Sequence, residues 1–206
     1  HLRLFDTQLP YEVVWHQVDT TKHALLFENR TIEVWSIPLR HRVPCAGMLF
    51  REKEPPLNVD KFKIAKYGLS IAQITAAKRG EDVRLDSGEV IPNGEITYRP
   101  YRARSYAYLS DTNFSARAAE LCRGVDLMYH EATYAADEQR SARERGHSTS
   151  VDAARAALKA EARRLIIGHY SSRYKDEGVL VEEARALFPE TWPATEGVTF
   201  RIDKEA

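Results

Sequence analysis

The sequence predicts an α/β protein in which helices are layered on a sheet. Three observations carry that class. Six runs have the length and β-rich composition of strands. From Ser105 onward such runs alternate with helical segments, the order that lays helices on a sheet. Hydrophobic residues make up 43% and charged residues 29% of 206, the balance of a chain that buries one core.

The strand runs are 24–27, 31–38, 46–51, 105–110, 126–129 and 164–168, several of them almost continuously apolar, as strands covered on both faces are. Residues 115–123 read as a helix stopped by Gly124. Thr149 and Asp152 have the spacing of a capping box, opening a helix with Val151, Ala154 and Leu158 on one face. Residues 178–187 form a last helix, closed by Pro189. Residues 52–100 break the pattern with Pro55, Pro56, a short helix over 70–78, and then Gly80, Gly88, Pro92 and Gly94. A connection of that length is a functional or mobile excursion, or else a hairpin covering a sheet edge.

Thirty basic residues balance thirty acidic ones, so no bulk positive field coats nucleic acid and only local basic patches are left. No run approaches eighteen consecutive apolar residues, so no membrane span is expected. Two cysteines, Cys45 and Cys122, cannot build a disulfide framework and suit a reducing, cytoplasmic compartment. The chain opens on His1 rather than methionine, as expected if it begins part-way through a longer protein.

The chemistry gathers at strand ends. His41, Asp111 and His169 each follow an apolar run, which places three residues of metal-ligand type at carboxyl ends, where α/β folds build sites. Each alone reads equally as a hydrogen-bonded rim residue or a turn former. His130-Glu131-Ala132-Thr133 lies past another strand, and Tyr134 excludes the helical two-histidine protease site. His147-Ser148-Thr149 precedes the capped helix, where a histidine can pass a proton to an anion drawn to the helix N-terminus, and a Glu131 beside it would orient it. The alternatives are a surface histidine and a loop acceptor.

Pro38-Leu39-Arg40-His41, Ser110-Asp111-Thr112, His130-Glu131-Ala132-Thr133, Gly146-His147-Ser148-Thr149 and Gly168-His169-Tyr170-Ser171-Ser172-Arg173-Tyr174 occur in this order. Together they resemble the carboxyl-terminal two-thirds of the ribonuclease Z family, tRNA 3′-processing endonucleases of the metallo-β-lactamase superfamily. The resemblance implies a metallo-β-lactamase-like αββα sandwich. Residues 1–206 would be the carboxyl-terminal part of a single domain, with an arm-like excursion around 52–100. It implies two zinc ions, with His41 and His169 as ligands and Asp111 as the bridging carboxylate. It further implies that water activated by the metals attacks the phosphorus of precursor tRNA. His147, oriented by Glu131, would protonate the departing 3′ oxygen. Arg173, with Ser171 or Ser172, would hold a phosphate; a structural ion pair is the other use open to Arg173. The family also implies a homodimer.

The chain departs from that family in two places. The His-x-His-x-Asp-His loop of the superfamily is absent, so two zinc ions would be under-coordinated. These 206 residues alone are therefore expected to be inactive, to bind zinc weakly, and to expose an unpaired sheet edge and apolar faces. The excursion lacks the Gly-Pro dipeptide of the family's arm, although Lys61, Lys63, Lys66, Lys78, Arg79 and Arg84 could contact phosphates. The rival functions are another phosphodiesterase of the metallo-β-lactamase fold, or a non-catalytic RNA-binding or dimerisation fragment.

Overall fold

The computed structural model describes residues 11–205; His1 lies outside them. Leu25–Glu28 (β1), Ile32–Pro38 (β2) and Ala46–Glu52 (β3) form an antiparallel meander. The chain then leaves the sheet. The excursion contains Asn58–Val59 (β4), Lys61–Tyr67 (α1), Ile71–Lys78 (α2), Val83–Arg84 (β5), Val90–Ile91 (β6), Asn93–Ile96 (α3) and Thr97–Tyr98 (β7). It is neither a plain hairpin nor a bare loop, because Val59, Leu69, Ala77, Val83, Ile91 and Ile96 form a small core of its own. Asp60 caps α1, Gly68 ends it at φ 62°, and Ser70 with Gln73 boxes the start of α2. Pairing of β4 with β7 closes the base.

The chain rejoins the sheet at Ser105–Leu109 (β8), beside β3. Ala116–Leu121 (α4), Leu127–Glu131 (β9), Gln139–Arg145 (α5), Ser150–Lys159 (α6), Arg164–Gly168 (β10), Gly178–Leu187 (α7) and Thr191–Pro193 (β11) follow. The result is a seven-stranded mixed sheet ordered β1-β2-β3-β8-β9-β10-β11, parallel from β8 onward. Helices α4, α6 and α7 cover one face, packing on Ile37, Leu49, Ala107, Met128, Leu165 and Ile167.

Two expectations are corrected. The buried side of α6 is Ala153, Ala154, Ala156 and Ala157, while Leu158 is 46% exposed. Four alanines let the helix sit close to β9 and β10 and between α4 and α7, where a leucine would hold it off. The near-continuous apolar runs are not all covered twice. Opposite the helices, Phe50 stacks on Tyr106 and Tyr108 on Tyr129, yet Phe50 and Tyr108 are exposed. Within the described residues only the helical face of that region is covered. β1 is likewise exposed along its length.

The topology decides where the chemistry falls. β2 runs antiparallel to β3, and β3 antiparallel to β8, so β2 points the same way as β8, β9 and β10. The carboxyl ends of all four strands therefore open on one edge of the sheet.

Candidate metal centre

Asp111 lies two residues past β8, Glu131 is the last residue of β9, and His169 is the first past β10. The register sets Leu109 beside His130, and Glu131 beside Gly168. His147 arrives between α5 and α6. One potential ligand atom from each of Asp111, Glu131, His147 and His169 lies within 4.8 Å of all the others. Asp111 Oδ1 is 3.4 Å from His169 Nε2 and 4.0 Å from His147 Nδ1. Asp111 (φ 54°) and His169 (φ 60°) both have left-handed backbones, a conformation that costs a non-glycine residue about 1–3 kcal/mol and gathers at functional sites.

Glu131 is fully buried and organises the rest. Its Oε1 accepts from Thr112 N–H (2.6 Å) and His147 Nδ1–H (2.9 Å), and its Oε2 accepts from Ser148 N–H (3.1 Å) and Thr133 Oγ1–H (2.6 Å). With a longer bond from Thr133 N–H to Oε2 (3.4 Å), these occupy its lone pairs, so Glu131 is an orienting group rather than a free ligand despite its distance. Thr133 has one proton and gives it to Glu131. Its hydroxyl oxygen must therefore accept from His169 Nδ1–H, 2.8 Å away, which leaves His169 Nε2 free toward Asp111. One buried carboxylate thus orients His147 directly and His169 through Thr133.

His41 follows β2 and donates its Nδ1–H to the Gly146 carbonyl at 2.8 Å, with its ring 5.0 Å from that of His147. Gly146 (φ 86°) is needed there, since a Cβ would come within 2.7 Å of His41 Nδ1. His41, His147 and His169 all spend Nδ1 on a second group and keep Nε2 available, the usual state of a metal-ligating or proton-transferring histidine. Imidazole nitrogens beside a two-oxygen carboxylate suit a divalent ion of zinc type. Of the ligands expected from sequence, Asp111 and His169 come together, with His147 and the Glu131 behind it; His41 lies beside His147 but outside that group of four.

The remaining motif residues fall elsewhere. His130 is buried away from the cluster, donates to the Glu131 carbonyl, and is held neutral because burial lowers its pKa. Ser171 donates its backbone N–H to the Thr133 carbonyl, and Ser172 is exposed. Arg173 pairs with Glu138 at 2.7 Å over the Tyr134 ring, outside the ligand group. Thr112, Thr133, Ser148 and Gly146 were not singled out from sequence. Their only signal was position inside or beside the motifs.

A sequence model of the Beta-lactamase superfamily domain matches residues 50–170. The chain belongs to the beta-lactamase superfamily. Within the superfamily it is 42% identical over 202 residues to "Ribonuclease Z" of Bacteroides thetaiotaomicron and 41% identical over 202 residues to that of Porphyromonas gingivalis. Each alignment takes in 98% of this chain but only 64% and 66% of the relative, so the chain spans about two-thirds of their length. The short form of human tRNase Z superposes with a TM-score of 0.51 at 23% identity, covering 87% of this chain and 46% of that one. The metallo-beta-lactamase fold protein YhfI of Bacillus subtilis gives 0.52 at 15%, covering 85% and 50%. These superpositions establish a metallo-β-lactamase fold. Among the described residues no helix is long and apolar enough to cross a membrane.

Proposed function

We propose that this chain carries the acid-bearing part of a zinc-dependent endoribonuclease of ribonuclease Z type, which removes the 3′ trailer of precursor tRNA. The observation that carries this reading is the buried Glu131, which aligns His147 and, through Thr133, His169 beside Asp111. The similarity to the ribonuclease Z proteins supports the substrate class.

His41 and His169 would hold zinc through Nε2, together with the Asp111 carboxylate. Zinc bound there supplies Lewis acidity and lowers the pKa of water from 15.7 toward ~7, making a nucleophile at neutral pH. His147 carries the proton delivered to the departing 3′ oxygen, so the tRNA leaves with a 3′ hydroxyl. Glu131 holds that imidazole in one tautomer and one orientation. Arg173, with Ser171 or Ser172, would bind a phosphate by exchanging its Glu138 partner for it.

Three ligands do not complete two tetrahedral ions. The reading therefore draws the other ligands, and activity itself, from the additional length that the relatives have. The excursion would grip tRNA: Lys61, Lys63 and Lys66 cluster near Phe62, which is 85% exposed. The enzyme would act in the cytoplasm as a homodimer; its two free cysteines are compatible with a reducing compartment.

His147→Ala in the full-length protein tests the acid role. Zinc content by elemental analysis should be unchanged, and the rate on precursor tRNA should fall on the order of 10²–10⁴-fold. Glu131→Gln should give a milder loss, and the double variant should be hardly worse than His147→Ala, as for residues acting as one unit. Loss of zinc from His147→Ala would make that histidine a ligand and overturn its assignment.

A further inference from the structure

We propose that a cavity of about 510 Å³ beside the metal centre, bounded by Arg40, Arg143 and Arg155, takes backbone phosphates of the RNA next to the scissile bond. The inference rests on the ribonuclease reading above and adds a binding site to it.

Charge supports an anionic ligand. Arg40 and Arg143 are exposed, and among the described residues neither forms an ion pair. Arg155 has only a 3.5 Å contact with Asp152. Asp152 is the one acidic residue of the lining, and its carboxylate is already engaged: it accepts from the Thr149 N–H that opens α6 and from Gln139 Nε2 at 2.8 Å. The cavity therefore presents three guanidinium groups against one occupied carboxylate. Forked arginine donors match phosphate oxygens in geometry as well as charge.

Position supports a ligand shared with the centre. Arg40 adjoins His41 in sequence, and Arg143, near the end of α5, precedes His147 by four residues. The walls are tied together by backbone: Arg40 N–H donates to Thr112 Oγ1 (3.0 Å), Asn113 N–H donates to the Arg40 carbonyl (2.8 Å), and Asn113 Nδ2 donates to the Arg143 carbonyl (3.4 Å). The segments carrying His41, Asp111 and His147 thus form the cavity as well. The segments that carry Arg40 and Arg143 are therefore those that carry His41 and His147. Among the described residues none of the three guanidinium groups anchors a backbone, so their replacement leaves the walls intact.

The test is precursor tRNA binding by the full-length protein and by an Arg40→Gln/Arg143→Gln/Arg155→Gln variant, at several salt concentrations. Loss of three phosphate contacts should lower the slope of log affinity against log salt by about two and weaken binding roughly tenfold or more near 0.15 M salt. Arg143→Lys, which keeps the charge, should retain most of the slope. Hydrolysis of bis(p-nitrophenyl) phosphate, too small to reach the cavity, is measured alongside. Wild-type affinity and slope in the triple variant would overturn the site while leaving the ribonuclease reading intact. An equal fall on the small ester would show that the substitutions only disturb the ligand loops, and would also overturn it. Wild-type protein that neither binds nor cleaves precursor tRNA would remove the ribonuclease reading and this site together.

Discussion

At Gly146 one missing Cβ joins two halves of the centre. Its carbonyl holds the His41 ring while its bare α-carbon lets that ring approach, and its left-handed backbone turns the chain into His147. Gly146→Ala is expected to cost about 1–3 kcal/mol of stability through the strained φ and the 2.7 Å clash. Zinc affinity should fall about 10–100-fold, the usual effect of misplacing the group that orients a ligand. Thermal denaturation and a zinc titration check both; unchanged zinc affinity would show that His41 holds no metal. Residues of this site were legible in sequence wherever position alone determined them. Asp111, Glu131 and His169 stand at strand ends, and His147 stands before a capped helix. The relay from Glu131 through Thr133 to His169 was not legible, because it depends on which hydroxyl faces which ring nitrogen. The left-handed backbones of Asp111 and His169 left no mark either, since neither is glycine.

Among the elements, the excursion between β3 and β8 is anchored by a side-chain pair at its stem. Arg104 Nε and Nη2 donate to the two carboxylate oxygens of Glu52 at 3.0 and 2.5 Å, and each backbone N–H meets its partner residue as well. The arginine beside it holds the Glu52 carboxyl below its ordinary pKa. The sign follows from linkage. A carboxyl depressed in the folded state adds stability above its unfolded value of ~4.3, and that contribution is lost as pH falls through the lower folded value. Acid titration of the folded protein should therefore show the stem loosening below about pH 4. Glu52→Gln should remove about 1–2 kcal/mol at pH 7 and flatten that acid limb. Hydrogen exchange across residues 52–104 measures both, and an unaltered acid profile in Glu52→Gln would assign the stem's stability to backbone pairing alone. Strands long enough to show a pattern were readable in sequence, as was the Thr149–Asp152 capping box. The two-residue strands β4 to β7 have no periodicity to read. Helix α5 was missed because its seven residues are largely charged and bury only Ala142.

Across the whole molecule, one strand direction turns four separated segments into one site. Two antiparallel steps from β2 to β8 and two parallel crossovers from β8 to β10 bring the carboxyl ends of β2, β8, β9 and β10 to the same edge. The helices seal one face of that sheet, and the tyrosine-rich face remains open within the described residues. On the proposed function, the full-length protein hydrolyses a phosphodiester of precursor tRNA at this edge by metal-assisted attack of water, with proton delivery to the 3′ oxygen. The most direct measurement is end-group analysis by mass spectrometry after full-length protein and its Asp111→Ala variant are incubated with precursor tRNA and zinc. The expected products are a tRNA ending in a 3′ hydroxyl and a trailer beginning with a 5′ phosphate, both lost in Asp111→Ala. A 2′,3′-cyclic phosphate at the cut, or cleavage by Asp111→Ala at the wild-type rate, would contradict the proposed function.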